Sequence, residues 1–417
     1  MNNIKHQPNP YLIPLLIVGM LFFLLGFSLG MNGLLIPFLK KAFSLSDAQS
    51  YLVLTATYSA FVVFSYPFGA LIKRTGYKYG IVLAFVLFAV GLYLFVPSAG
   101  WESFPLFLLA SFICGTGNTL MQAVINPYVT ILGPVEAAGK RICFLNICNR
   151  TGWIVAPVFL ALFIDITKIN VQLSDLFLPF YIIVGIFVVL GIFTWLAPLP
   201  EITAVGEDEN DVSKESAQVI EFVETKKSVF QFPHLMIGVI ATFFSVGIET
   251  LLYITPVDFA DSIGLSNPER YMIYPVMGTI AGCLLGFLLT PRYVSQLTGL
   301  RTGVVVGTFF CLLIPLLPAP MVIYAITAAS LAFSLNWPVV WPLATSYLGK
   351  YHKTGSAILV SSIVGAAILP LVFGFLKDVT GDIQKAFWLF FPSMLLMVFY
   401  AFWGYKTGVG ELRIENH

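Results

Sequence analysis

The sequence predicts an all-α membrane protein with twelve transmembrane helices, arranged as two six-helix halves. Its 417 residues are 58% hydrophobic and only 10% charged, whereas soluble domains carry about 25% charged residues. Long continuous apolar runs exclude a β-barrel, whose strands alternate over ~10 residues. The composition also excludes an ordinary cytosolic enzyme, and a net charge of +1 gives no reason to expect a nucleic-acid partner.

Twelve apolar segments are long enough to span the membrane, which takes about 20 helical residues. Breaks at charged and Gly/Pro clusters place them at 11–39, 50–72, 79–98, 104–131, 142–165, 178–198, 235–260, 271–291, 302–318, 320–348, 355–376 and 385–405. The first run is too long for the apolar core of a signal peptide. We therefore expect it to remain in the mature protein as a helix.

One long polar segment, 199–234, divides the chain into an N-terminal half (1–198) and a C-terminal half (235–417). We interpret this segment as a solvated cytoplasmic linker; a regulatory docking segment is the alternative. A cytoplasmic N-terminus places most of the Lys and Arg side chains on the inner side, as the positive-inside rule requires. The sequence thus predicts a multi-pass plasma-membrane protein with both termini in the cytoplasm.

An internal repeat supports the two halves. Three residues of the fifth segment recur in the eleventh segment at a constant offset. The pairs are Gly152 and Gly365, Pro157 and Pro370, and Asp165 and Asp378. Two parallel six-helix repeats resemble the major facilitator fold, in which the substrate site lies near the midplane between the halves.

Two charged residues inside apolar segments are candidates for ion coupling, because charge is costly at membrane depth. Glu249 lies near the middle of the seventh segment and Arg150 lies in the fifth. A carboxylate that faces a wet cavity can exchange a proton or a cation for a pairing partner. The alternative is a static ion pair that holds helices 5 and 7 together.

Amides and aromatic side chains form the second candidate set. Asn and Gln both donate and accept hydrogen bonds, as sugar hydroxyls do, and indole rings pack on the C–H face of a sugar. The predicted substrate-binding residues are Asn32, Gln122, Asn126, Asn146, Asn149, Glu249, Tyr253, Asn336, Trp337 and Trp341. Helix–helix contact is the alternative for each amide, and a lipid-facing pair is the alternative for the tryptophans. Prolines 338 and 342 predict a broken tenth helix.

Several stretches resemble the fucose–galactose–proton symporter family. Residues 122–133 read QAVINPYVTILG, similar to the family pattern Q/E-x-A-A-N-P-F/Y-V-T-x-L-G. Residues 32–37, 246–249 and 355–370 are similar to further family patterns. The sequence departs from the fucose-transporting members at two positions, where Gly33 and Gln122 replace an Asp and a Glu implicated in sugar binding and proton coupling. The resemblance implies that Asn146 and Asn149 contact sugar.

We therefore expect a secondary active importer of a neutral, hexose-type sugar that works by alternating access. Its expected partners are the sugar, a co-transported proton or sodium ion and the lipid bilayer, with no cofactor, no metal and no oligomer beyond a monomer. Because the two family acids are absent, uniport remains open. A membrane enzyme would need an acid or histidine cluster, which four scattered histidines do not supply, and no Walker A motif indicates an ATP-driven pump. A sensor on a transporter scaffold is a further alternative.

Overall fold

The computed structural model describes residues 12–42, 47–163, 177–196, 214–266 and 268–409; within these ranges the side chains of 32–42, 47–51, 54, 157, 161, 214–216 and 269 are not described. In this part of the chain, eleven helical stretches are long and apolar enough to cross a membrane. One of them contains two helices that meet at Gly76, whose φ of 80° favours glycine. The twelve predicted helices are therefore confirmed.

We number the membrane-spanning helices α1 to α12. The N-terminal half consists of α1 (Leu12–Ala42), α2 and α3 (the parts of Asp47–Gly100 before and after Gly76), α4 (Phe104–Ile131), α5 (Ala138–Ala161) and α6 (Phe177–Leu196). The C-terminal half consists of α7 (Pro233–Ser262), α8 (Ile273–Leu289), α9 (Gln296–Leu313), α10 (Ala319–Phe333 and Asn336–Thr345), α11 (His352–Ser361 and Gly365–Thr380) and α12 (Ile383–Ala386 and Phe390–Phe402).

The ninth helix begins before its predicted start at 302. Ser295 caps its N-terminus, because the Ser295 hydroxyl accepts a hydrogen bond from the Thr298 backbone N–H at 3.1 Å. The first turn of this helix is polar, so a search of the sequence for apolar runs places its start too late.

The described part of the polar segment between the halves contains a short helix, Lys214–Glu224. Val219 and Val223 are buried on one side of it and contact a small apolar cluster that includes Phe232 and Leu348. Residues at i and i+4 share a helix face, so this helix is amphipathic and docks on the C-terminal half. The solvated linker expected from composition is in this part a packed element; residues 199–213 lie outside the description.

The internal repeat is visible in how the first and fifth helices of each half cross. A Cβ atom on Gly152 of α5 would overlap the Phe23 carbonyl oxygen of α1. A Cβ atom on Gly365 of α11 would likewise overlap the Phe243 carbonyl oxygen of α7. The two glycines that share the predicted offset therefore have the same role in both halves. Each allows two helix backbones to approach closely.

We expect Gly365→Ala to destabilise the protein, because the backbone of Phe243 cannot yield as a side chain could. Overpacking of this kind costs about 1–3 kcal/mol. The measurement is the thermal unfolding midpoint of detergent-purified protein. Gly374→Ala, in the same helix where nothing lies within 4 Å of the added atom, should unfold like the parent; equal midpoints for both variants would contradict the prediction.

The tenth helix is interrupted, as predicted, but not at its prolines. Its two parts are separated by Ser334 and Leu335, and Pro338 and Pro342 lie within the second part. Pro338 falls in the first turn, where its missing N–H has no intrahelical partner to lose. The interruption faces α8, where Gly282 and Gly286 leave room for Ser334 and Leu335.

The two halves are joined at one end of the bundle, which we call the closed end. It carries the α2–α3 turn and the α4–α5, α8–α9 and α10–α11 connections. There the Gln296 side-chain oxygen of α9 accepts a hydrogen bond from the Gly139 backbone N–H at 2.6 Å, and its amide nitrogen donates to the Val135 carbonyl at 2.9 Å. Lys353 of α11 also lies over the Tyr77 ring at 5.0 Å. These contacts join the α2–α3 turn and the start of α5 in the N-terminal half to α9 and α11 of the C-terminal half.

Candidate functional site

An ion pair between the two halves is the centre of the candidate site. Arg150 Nη2 of α5 donates to Glu249 Oε1 of α7 at 2.6 Å. Helix rise places Arg150 about 18 Å from the start of α5 at the closed end, which is near the middle of the membrane span. The side chains of Arg150 and Glu249 are 20% and 22% exposed, so protein encloses most of the pair.

Tyr253 holds both members of the ion pair. Its hydroxyl donates to Glu249 Oε1 at 2.7 Å, and the Arg150 guanidinium lies 4.4 Å from the centre of its ring. A cation over an aromatic face is stabilised by about 0.5–2 kcal/mol, more when desolvated. The Tyr253 hydroxyl also lies 2.9 Å from Thr279 Oγ1 of α8. This cluster therefore connects α5 of one half to α7 and α8 of the other.

Two of the predicted amides are hydrogen-bonded within the protein. The Gln122 amide donates to Asn118 Oδ1 on the same helix at 2.9 Å. The Asn149 amide donates to the Phe22 carbonyl of α1 at 3.1 Å. Each of these bonds occupies a single N–H, so both side chains keep an acceptor oxygen. Asn146, one turn before Arg150 on α5, is half-buried.

Two other predicted amides are buried without a hydrogen-bond partner. Asn126 of α4 and Asn336 of α10 are 0% and 1% exposed, and in the described part of the chain neither amide nitrogen nor oxygen is paired. An unpaired buried amide costs about 1–3 kcal/mol. Such groups are therefore ready partners for a ligand or for water. Both lie closer to the closed end than Glu249.

The backbone around Asn126 is held by an arginine. Arg141 of α5 donates to the carbonyls of Val129 and Thr130 at 2.9 and 2.8 Å, and to that of Pro134 at 2.8 Å. These are carbonyls at and just beyond the C-terminus of α4, which lack helical partners. The arginine thereby fixes α4 against α5, the two helices that carry most of the predicted amides.

The two tryptophans of α10 stand against each other and against the N-terminal half. Their ring centroids are 5.0 Å apart with planes tilted by 45°. Trp341 is 1% exposed and belongs to the apolar cluster formed by α1 to α6 and α11, and Trp337 is half-buried beside it. The lipid-facing alternative is therefore excluded for Trp341. Its indole N–H has no partner among the described residues.

The structure brings three of the predicted residues, Glu249, Arg150 and Tyr253, into direct contact. Thr279 was not predicted, because one threonine in an apolar helix gives no signal. Asn32 lies on α1, but its side chain is outside the description. All five cysteines are free thiols, and four of them are buried.

The sequence and the fold match known transporters over most of the chain. Residues 18–363 match the model of the Major Facilitator Superfamily. The chain is 32% identical to a glucose/galactose transporter of Brucella abortus, with 93% of each chain covered. It is 26% identical to the L-fucose-proton symporter of Escherichia coli, with 96% of this chain and 94% of the relative covered.

Solved structures agree on the fold. The crystal structure of the Escherichia coli fucose:proton symporter superposes with a TM-score of 0.79 at 24% identity and covers 94% of this chain and 98% of its own. A proton:xylose symporter superposes with a TM-score of 0.76 at 16% identity. With the family model, these matches show that the chain belongs to the Major Facilitator Superfamily.

Proposed function

We propose that this protein is a sugar transporter that imports a neutral hexose-type sugar together with protons by alternating access. The observation that carries the proposal is the Arg150–Glu249–Tyr253 cluster, which joins the two halves beside helices lined with amides. Relatives named as glucose/galactose transporter and L-fucose-proton symporter support the substrate class and the coupling ion. Membership of a transporter superfamily excludes the enzyme alternative.

Glu249 is the proposed coupling group. Neither Gly33 nor Gln122 can carry a proton or a full negative charge, so the acid functions that the fucose-transporting relatives place there must lie elsewhere. Glu249 pairs with Arg150 when it is ionised and can release Arg150 when it is neutral. Because the pair bridges α5 and α7, a change of protonation alters the free energy of contact between the halves.

Charge and closure together support the proposed orientation. The closed end carries Lys140, Lys353 and the basic turn at 73–78, and the positive-inside rule favours a cytoplasmic position for such an end. The conformation described here is then closed to the cytoplasm, with both termini on that side. The chain is proposed to act as a monomer in the bacterial inner membrane, with 1–198 and 235–417 as the rocking halves.

Transport by purified protein in liposomes tests the proposal. Radiolabelled glucose, galactose and fucose are offered with an inward proton gradient, with a sodium gradient and with neither. Accumulation of a hexose driven by protons is the expected result. Accumulation driven by sodium alone would reassign the ion, equilibration without accumulation would show uniport, and no uptake of any of the three sugars would contradict the substrate class.

The unpaired amides give a sharper prediction about sugar binding. Asn126→Ala and Asn336→Ala remove groups without a protein partner, so stability should be unchanged or higher. Sugar affinity should fall by roughly 5- to 150-fold, corresponding to about 1–3 kcal/mol for a lost hydrogen bond. Binding is measured by isothermal titration and stability by thermal unfolding.

Asn149→Ala provides the contrast for these two variants. It breaks the hydrogen bond to α1, so it should lower the unfolding midpoint as well as affinity. Parent-like affinity in Asn126→Ala and Asn336→Ala would show that these amides do not contact the sugar.

A further inference from the structure

We infer that Thr279 and the Ser330 carbonyl complete a reversible hydrogen-bond chain, which lets Glu249 take up and release a proton without leaving a buried donor unpaired. The chain runs from Glu249 through the Tyr253 and Thr279 hydroxyls to α10. This inference rests on the proposed role of Glu249 in coupling. It assigns Thr279 as a positioning residue, which acts on the coupling carboxylate through Tyr253.

The distances define the order of the chain. Tyr253 Oη lies 2.7 Å from Glu249 Oε1 and 2.9 Å from Thr279 Oγ1. Thr279 Oγ1 lies 3.4 Å from the Ser330 carbonyl oxygen. Tyr253 and Thr279 are 5% and 2% exposed, so water does not replace these partners freely.

Each hydroxyl has one hydrogen to donate, and this makes the chain directional. When Glu249 is ionised, it accepts from Tyr253, and Tyr253 accepts from Thr279. All hydrogens then point towards the carboxylate, which also accepts from Arg150. The Ser330 carbonyl lies in the last turn of the first part of α10, where the Ser334 N–H donates to the Leu331 carbonyl instead, so it keeps room to accept from Thr279 in the other state.

When Glu249 is protonated, the same chain can reverse. The carboxyl O–H donates to Tyr253, Tyr253 donates to Thr279, and Thr279 donates to the Ser330 carbonyl, which closes the chain because a carbonyl only accepts. Both charge states of Glu249 are thereby satisfied by the same side chains. A valine in place of Thr279 would end the chain at Tyr253 and leave its O–H unpaired in the protonated state alone.

The other groups near Glu249 do not offer such a terminus. Arg150 of α5 only donates. Tyr58 of α2 and Cys283 of α8 interact with the charge of Arg150, and the Cys283 thiol donates to the Ser334 carbonyl at 3.5 Å. Among the described residues, the route through Thr279 is the one that leads from Glu249 to a backbone carbonyl.

The chain ends beside the interruption of α10. Ser330 lies one helical turn before Ser334, the first residue between the two parts of that helix. The second part carries Trp337 and Trp341, which contact the N-terminal half. A bond that forms at Ser330 when Glu249 is protonated therefore reaches the segment of α10 that packs across the two halves.

The test is the pH dependence of hexose uptake into proteoliposomes by Thr279→Val. Loss of the terminus penalises the protonated state more than the ionised one, so more protons are needed to load Glu249. The external pH of half-maximal uptake should move down by about one unit, a tenfold rise in proton concentration. The sugar KM at saturating proton concentration should stay that of the parent, because Thr279 is buried behind Tyr253 and is not among the proposed sugar contacts.

Two variants act as controls and one as a second probe. Thr279→Ser keeps the hydroxyl and should restore the parent pH profile. Thr255→Val removes a buried hydroxyl that bonds the Leu251 carbonyl of its own helix, so it should keep the parent profile. Tyr253→Phe removes the hydrogen bond that the ionised carboxylate accepts, which penalises the ionised state more, so its pH of half-maximal uptake should move up, opposite to that of Thr279→Val.

The outcomes separate this inference from the proposed function. A parent-like pH profile in both Thr279→Val and Tyr253→Phe would overturn the chain while leaving Glu249 as the coupling group. An acid shift shared by Thr279→Val and Thr255→Val would overturn it too, because any lost hydroxyl would then suffice. If Glu249→Gln still accumulates sugar, Glu249 is not the coupling group, and the hydrogen-bond chain has no role in coupling either.

Discussion

Glu249→Gln is expected to abolish accumulation of sugar against its gradient while exchange of sugar across the membrane continues. Glutamine has the shape of the neutral acid, and its amide can donate to Tyr253 as the protonated carboxyl does, but it cannot carry a proton across the transport cycle. The remaining charge on Arg150 is stabilised by the Tyr253 ring, over which its guanidinium still lies.

Two transport assays check this expectation. Uptake driven by an inward proton gradient measures accumulation, and counterflow at equal pH on both sides measures exchange. Asp258→Asn is the matched control: Asp258 lies on the same helix and faces Lys377 at 4.0 Å, but both side chains are about half exposed. Exposed pairs contribute at most about 1 kcal/mol, so this variant should accumulate sugar as the parent does.

The pattern of results distinguishes three roles of Glu249. Loss of accumulation with retained counterflow supports coupling. Loss of both activities, together with loss of sugar binding, would indicate a direct sugar ligand or a structural ion-pair partner. Unchanged accumulation would contradict coupling through Glu249 and favour a cation site formed by neutral oxygens.

The helix count and the two halves could be predicted from the sequence, because insertion into a membrane requires long apolar segments separated by polar ones. About twenty apolar residues are needed for each crossing, and the break between the halves is a run of charge. The sequence showed only that Gly152 and Gly365 recur at the same offset as two other pairs of residues. In the structure they lie at a pair of close helix crossings, which explains why glycine stands at both positions.

The charged centre of the site was also readable, since Glu249 and Arg150 stand out in apolar helices. The partners that set its chemistry were not. Thr279 and Ser330 look like any small polar residues of an apolar segment, and their role depends on how α8 and α10 rotate towards α7. The docking of Val219 and Val223 could not be predicted for a similar reason. A short amphipathic helix within a polar segment has the composition of a linker.

Gln296→Ala is expected to open the closed end. Its side chain makes two hydrogen bonds to the backbone of the α4–α5 connection, and this residue carried no sequence signal because its partners are backbone groups of Gly139 and Val135. Each hydrogen bond contributes about 1 kcal/mol net. Loss of both should shift the population towards the state open at that end by roughly 30-fold, which corresponds to about 2 kcal/mol.

Native cysteines report this opening. Cys143 of α5 is buried against Gly286 of α8 at the interface of the halves, so separation at that end exposes it to a maleimide. Cys114 and Cys311 are buried inside one half each and serve as internal references. Peptide mass spectrometry should show faster labelling of Cys143 in Gln296→Ala than in the parent, while the two reference cysteines stay unlabelled.

Gln384→Ala is the matched control for a lost amide. The Gln384 side chain also makes two hydrogen bonds to backbone carbonyls, those of Ile314 and Leu317 at 2.9 and 2.6 Å, but both partners belong to its own half. It should therefore leave the labelling of Cys143 unchanged. Equal labelling rates in Gln296→Ala and Gln384→Ala would show that the contact between Gln296 and the α4–α5 connection does not hold the halves together, since only a bond that crosses the interface can bias the equilibrium between the two states.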